Sequence, residues 1–259
     1  MEHQGAISKA EEAYQRAIDA HPISWVSYNS KGTFYYRQSE YTKAVIMFQK
    51  VTELAPEGFA GFVNLGATYN NTGRYMEAIG PLERSIMIRP TYAAYSNLGT
   101  AYFGLHEYTK AASSFEQAVK LSPQEYITWG NLGNAKYYAG THNEAMAAFR
   151  RAAELASEEL RVNPHDPPVL GDLATYYSML GNRELALSSL NEALQGKYNN
   201  KELLFNAAEV YNQLGETGLA LEWLNKAVYS GYSVGKFRDA PEFDNLTNNP
   251  QYRDLVNKH

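Results

Sequence analysis

Small and large apolar residues recur along this chain with a period near 34. Ala10, Ala44, Ala78, Ala111, Ala145, Ala186 and Ala220 stand 34, 34, 33, 34, 41 and 34 positions apart. Four residues after each comes a large side chain: Tyr14, Phe48, Leu82, Phe115, Phe149, Leu190 and Leu224. Residues i and i+4 share one face of an α-helix, so each pair marks the apolar stripe of an amphipathic helix. A second amphipathic segment precedes six of these helices. It carries a small residue at Gly32, Gly66, Gly99, Gly133, Ala174 and Ala208, and three positions later Tyr35, Tyr69, Tyr102, Lys136, Tyr177 and Tyr211. Glycine inside a helix costs about 1 kcal/mol relative to alanine, so its recurrence needs a packing reason. Close approach of the partner helix through the facing alanine supplies one.

Breaks fall where hairpins require them. Gly73, Gly140, Gly181 and Gly215 separate the two helices of a repeat, and Gly5 occupies the equivalent place near the start. Pro22, Pro56, Pro90, Pro123 and Pro164 close the second helix, because proline cannot continue it. The pattern predicts an all-α solenoid of antiparallel helix hairpins, with repeats at 25–58, 59–91, 92–125, 126–166, 167–200 and 201–234.

The motifs resemble the tetratricopeptide repeat family. Trp129-Gly130-Asn131-Leu132-Gly133 with Ala145, Phe149 and Ala152 matches its unit in one repeat. Tyr95-Ser96-Asn97-Leu98-Gly99 and Tyr102, with Ala111, Phe115, Ala118 and Pro123, matches it in another. Lys31 in place of leucine, Lys136 in place of tyrosine, and Ala for Gly in the last two repeats are mild departures. The resemblance, over residues 5 to about 234, implies a right-handed superhelical array and a protein-interaction role.

The single long interval, Ala145 to Ala186, exceeds the period by close to two helical turns, which lengthen a helix without rotating its stripe. The insertion is expected around Leu155–Val162. At the N-terminus, Gly5 in the turn position leaves residues 1–24 as the second helix of an incomplete repeat, about Ser8–Ala20. The simplest reading is a chain cut from a longer protein or begun at an internal methionine. Residues 235–259 read as a capping segment, with Pro250 opening a short helix whose Tyr252, Leu255 and Val256 face inward. This ending, with Glu159-Leu160-Arg161-Val162-Asn163-Pro164, is similar to the C-terminal repeat segments of bacterial signalling proteins, which implies an output domain upstream.

A recurring polar position lies two residues after each first helix's large anchor: Ser30, Asn64, Asn97, Asn131, Asp172 and Asn206. Carboxamides both donate and accept, so they can satisfy the backbone of an extended peptide. By resemblance, Asn64, Asn97, Asn131 and Asn206 form a ladder holding peptide main chain. Neighbouring positions add Thr100 and Asn134, then Tyr36, Asn70, Phe103 and Tyr137, giving a polar, uncharged and aromatic groove without a lysine–arginine carboxylate clamp.

Composition removes other classes. There are no cysteines, hence no disulfides or thiolate metal sites. A net charge of −5 without a basic cluster argues against nucleic acid, and no apolar run is long enough for a membrane span. No signal peptide is visible, so the expectation is a cytoplasmic chain. The histidines, at 3, 21, 106, 142, 165 and 259, lack metal-ligand spacing, and no catalytic constellation emerges, so neither an enzyme nor a cofactor is expected. The leading expectation is a scaffold that binds an extended segment of a partner protein. The alternatives are self-association, as a homodimer through the unpaired N-terminal helix, and a repeat region presenting substrate within a larger enzyme or signalling protein.

Overall fold

The computed structural model describes residues 2–195, 200–238 and 240–258; Asp239 of the capping segment and His259 lie outside them. All regular structure among the described residues is helical, in two compact units. The first unit, residues 1–121, holds α1 (Glu2–Ala20), α2 (Trp25–Arg37), α3 (Tyr41–Leu54), α4 (Phe59–Asn71), α5 (Tyr75–Ile88), α6 (Tyr92–Gly104) and α7 (Tyr108–Leu121). The second, residues 122–259, holds α8 (Tyr126–Tyr138), α9 (His142–Leu160), α10 (Pro167–Met179), α11 (Arg183–Leu194), α12 (Lys201–Gln213) and α13 (Thr217–Tyr229). It ends in 3-10 turns at Val234–Lys236 and Pro241–Leu246 and in α14 (Pro250–Lys258). In both units each even-numbered helix up to α12 packs on the helix that follows it, and α3, α5 and α9 pack on the next hairpin.

The hairpin turns share one geometry. Gly73, Gly140, Gly181 and Gly215 have φ of +72, +82, +74 and +78°, which glycine adopts without a Cβ penalty. Ser39 and His106 hold the same place in the two remaining hairpins at +59 and +61°. After every turn an N–H returns to the first helix at 2.9 Å: Glu40 to Tyr35, Arg74 to Tyr69, Glu107 to Tyr102, Thr141 to Lys136, Asn182 to Tyr177 and Glu216 to Tyr211. The recurring tyrosine position is thus also the carbonyl that closes the helix end.

The helical glycines make room for rings. A Cβ on Gly32, Gly99 or Gly133 would sit 2.7, 2.7 or 2.6 Å from Phe48, Phe115 or Phe149, and one on Gly66 would sit 2.4 Å from Leu82. The close approach expected through the facing alanine is instead made by the large residue four positions later. Where the first helix carries Ala174 or Ala208, the corresponding residue is Leu190 or Leu224, and all four are buried.

Helix length departs from expectation in α1 and follows it in α9. Helix α1 runs through Gly5, where the spacing places a turn. Helix α9 has 19 residues where the other second helices of complete hairpins have 12 to 14, so most of the seven-residue excess is helical. The rest forms the connection to α10, whose N-cap Asp166 accepts a bond from the Val169 N–H and is followed by Pro167.

At the C-terminal end, Phe237, Phe243, Leu246, Tyr252 and Leu255 form one buried cluster with Leu221, Leu224 and Val228 of α13, and Val256 packs against it. The Tyr252 hydroxyl donates to the Phe237 carbonyl at 3.1 Å, which ties α14 to the 3-10 segment.

Candidate functional site

In the first unit the predicted positions fall on α2, α4 and α6. The Asn64 amide donates to Asn29 Oδ1 at 2.9 Å, and the Asn97 amide donates one turn back to the Ala93 carbonyl at 2.8 Å. Both side chains are half-buried; Asn97 Oδ1 takes a long contact from the Asn70 amide at 3.5 Å, and the carbonyl oxygen of each retains acceptor capacity. Asn70 is buried at 7% exposure and gives its amide to the Asn97 backbone carbonyl at 2.8 Å. Its Oδ1 is enclosed without a partner, so Asn70 joins α4 to α6 more than it faces outward. The Thr100 hydroxyl bonds back to the Ser96 carbonyl at 3.1 Å. Tyr36 accepts from the Asn71 amide at 2.5 Å and packs edge-on to Tyr41, and burial raises its phenol pKa. Phe103 packs in the same edge-on way against Tyr108.

The two lysines that depart from the motif are both used internally. Lys31, buried beside Tyr35, donates to Gln15 Oε1 at 2.6 Å. Lys136 pairs with Glu144. Tyr35 itself donates to Glu11 at 2.5 Å, so α1 is pinned to α2 by polar as well as apolar contacts.

In the second unit the same register runs along α8, α10 and α12. Asn131 and Asn134 are half-buried on α8 and make no side-chain hydrogen bond to another described residue. Tyr137 packs edge-on against Tyr138 and His142. Asp172 accepts from the Asn206 amide at 2.9 Å and from the Tyr126 hydroxyl at 3.2 Å. These bonds string α8, α10 and α12 together along one face. The Asn212 amide continues it to the Glu242 backbone carbonyl at 2.6 Å, with a reciprocal pair to Asn245 at 3.0 and 2.9 Å.

This face is not uncharged. Burial raises the pKa of Asp172 against the opposing effect of its two hydrogen bonds. Burial also lifts Glu209 well above the ordinary carboxylate range, helped by the nearby charges of Glu242 and Asp172. Glu242 is pushed up to about 7, again chiefly by burial. Sequence reasoning passed over Glu209, although the register contains it: Glu209 follows Ala208 as Thr100 follows Gly99 and Asn134 follows Gly133. Glu242 lies outside the repeat and reaches the face only through the 3-10 turn after α13, so no periodic signal could have found it.

No described helix is long and apolar enough to cross a membrane. Three family models, each described as tetratricopeptide repeat, match residues 124–199, residues 92–125, and residues 3–59 with 172–240. No curated protein matches the chain. Among solved structures, MamA from Desulfovibrio magneticus is similar at 25% identity and a TM-score of 0.55, over 60% of this chain and 89% of that one. A tetratricopeptide repeat protein from Parabacteroides merdae is similar at 17% identity and a TM-score of 0.65, over 90% and 91%. YrrB, described as a repeat protein with an unusual peptide-binding site, is similar at 20% identity and a TM-score of 0.52, over 82% and 97%. The family models together span most of the sequence, and the hairpins repeat at the family's spacing. The chain belongs to the tetratricopeptide repeat family.

Proposed function

We propose that this chain holds an extended segment of a partner protein against the faces formed by its first helices. The repeat supports a protein–protein interaction scaffold in general, and such repeats are in general not enzymes. The finer reading rests on one observation: half-buried asparagines recur at one register with acceptor capacity remaining on their carbonyl oxygens, Asn97 Oδ1 receiving only a long contact from Asn70. The amides of Asn64, Asn97 and Asn206 are engaged within the protein, so these side chains would accept N–H groups from a peptide main chain. Asn131, with Asn134 beside it, would both donate and accept. Thr100, Tyr36 and Tyr137 would flank the segment, and Asn70 would hold Asn97 in place from behind. The peptide-binding site in the description of YrrB belongs to that protein, and a likeness at 20% identity concerns the fold alone.

Each main-chain bond contributes about 1 kcal/mol net, so affinity has to accumulate over several repeats. An array of extended peptides supplies the test. The double variant Asn64→Ala, Asn97→Ala should bind the best array peptide about tenfold more weakly or worse, with melting cooperativity preserved. Unchanged affinity in that variant would remove the ladder.

A further inference from the structure

We infer that a cleft between α9 and α10 takes the side chain of a glutamate carried by a partner protein. Arg150 and Arg161 flank its carboxylate, and the Tyr177 hydroxyl adds a further donor. The cleft is separate from the groove proposed above, because Tyr177 stands five residues after Asp172, about 140° around α10.

The repeat itself shows what belongs in this place. A long acidic or amide side chain of the preceding second helix meets the hydroxyl of the recurring tyrosine. Tyr35 donates to Glu11 at 2.5 Å, Tyr69 accepts from Gln49 at 3.1 Å and Tyr102 donates to Glu83 at 3.2 Å. Gln49 and Glu83 stand 20 and 19 positions before their tyrosines. The residue 20 positions before Tyr177 is Ser157. Its short side chain turns back to the Ala153 carbonyl at 2.7 Å, and Tyr177 makes no side-chain hydrogen bond to another described residue. Counted forward from Ala145, as Gln49 follows Ala44 and Glu83 follows Ala78, the place falls instead on Arg150. Arg150 and Ser157 are close to two turns apart, so they face the same way. Through its extension, α9 offers a cation and a small hydroxyl where other second helices offer an acid or an amide.

The exchange leaves a space. A cleft of about 400 Å³ opens there, lined by buried Ala153, half-buried Tyr177 and Leu180, and the stripe of Arg150, Ser157 and Arg161. The stripe keeps within about 40° of one line along α9, and neither arginine forms an ion pair with another described residue. Two acids also border the cleft. Glu154 is held by Arg151 at 3.2 Å, and exposed Glu158 lies about 60° beyond Arg161 around the helix. Tyr211 likewise lacks a partner, but the one cation of α11, Arg183, is held by Glu216 at 2.6 Å.

Guanidinium groups take carboxylates through charge-assisted, often bidentate bonds. The apolar part of the lining suits a methylene stem, which aspartate shortens and phosphate lacks. Charge complementarity and the repeat's own occupant at Glu83 name the same side chain.

The test is an NMR titration of the full chain with N-acetyl-glutamate N-methylamide, read on the arginine Nε–H signals and the Tyr177 amide. The Arg150 and Arg161 signals should shift together and saturate in the millimolar range. Arg150→Gln and Arg161→Gln should each weaken binding about threefold or more, and Tyr177→Phe about twofold. Lys226→Gln, an equal charge change on exposed α13, should leave it unaltered. Ser157→Glu puts the repeat's own acid into the cleft and should abolish binding with the melting temperature undiminished. Equal shifts from the glutamine analogue would overturn the role of charge, and stronger shifts from inorganic phosphate would overturn the choice of a side chain. Cleft signals that move with protein concentration before any addition would replace the partner by a second copy of this chain. No saturable shift, or binding that survives Ser157→Glu, would overturn the site.

Discussion

Gly99 and Phe115 illustrate how a single hydrogen decides a repeat. Adding one methyl to Gly99 places it 2.7 Å from the Phe115 ring, closer than carbon atoms pack. Overpacking of this kind costs about 1–3 kcal/mol, partly offset by about 1 kcal/mol of helix propensity. Gly99→Ala should therefore lower the stability of the first unit by roughly 1–2 kcal/mol in denaturant unfolding. Adding Phe115→Leu, the pairing already used at Ala174 with Leu190, should recover part of that loss. A double variant no better than the sum of its parts would mean that the ring is not what the glycine serves.

Glu242 makes a different prediction at the same scale. Its carboxyl titrates near 7 in the fold against an ordinary value near 4.5, so the folded state holds the proton over that interval. Stability should be undiminished by this group below about pH 4.5, fall as the pH rises to about 7, and level off above. Glu242→Gln should flatten that decline in a melting-temperature profile. A profile identical to the unaltered chain would show that the side chain is solvated.

At the scale of elements, the turns differ where the sequence differs. Ser39 and His106 occupy a left-handed conformation that four other hairpins give to glycine. Ser39→Gly should stabilise the α2/α3 hairpin by about 0.5–1 kcal/mol, because the Cβ strain outweighs the added freedom of the unfolded chain. Proline inside a helix costs about 3 kcal/mol, and Pro81 lies in the middle of α5. Pro81→Ala should accordingly raise the melting temperature, with the gain confined to transitions of the first unit. Helices were legible because their stripes repeat: the alanine and large-residue pairs locate every second helix, and the prolines fall just beyond their ends. The seven extra residues between Ala145 and Ala186 were legible as added turns of α9. The start of α1 was not, since one glycine in a turn register looks the same whether the backbone bends there or continues. In the candidate site, Asn64, Asn97 and Asn206 could be read from register, but their committed amides could not. The bonds from Asn64 and Asn206 join residues 35 and 34 positions apart, on helices that only the stacked fold brings together.

Across the whole molecule, stability is concentrated in interfaces between neighbours, as in any linear array. The C-terminal aromatic cluster gives the last hairpin an apolar cover that an ordinary repeat would receive from its successor. Tyr252→Ala removes a buried ring and its bond to the Phe237 carbonyl, and should cost about 3–5 kcal/mol, read as early unfolding of the second unit. Tyr252→Phe should cost about 1 kcal/mol, the worth of the hydrogen bond alone.

The pairing of each helical small residue with its opposing side chain also governs how such a chain can be rebuilt. A second helix bearing phenylalanine, transplanted opposite Ala174 or Ala208, would meet a methyl group where its native partner offers none. The reverse transplant, leucine opposite Gly99, is milder, since Leu82 already fills the space opposite Gly66. Whole hairpins can be duplicated, deleted or reordered without disturbing this fit, whereas single helices cannot. The heritable module here is the hairpin, and recombination points inside its turn should be the ones that yield insoluble chimaeras.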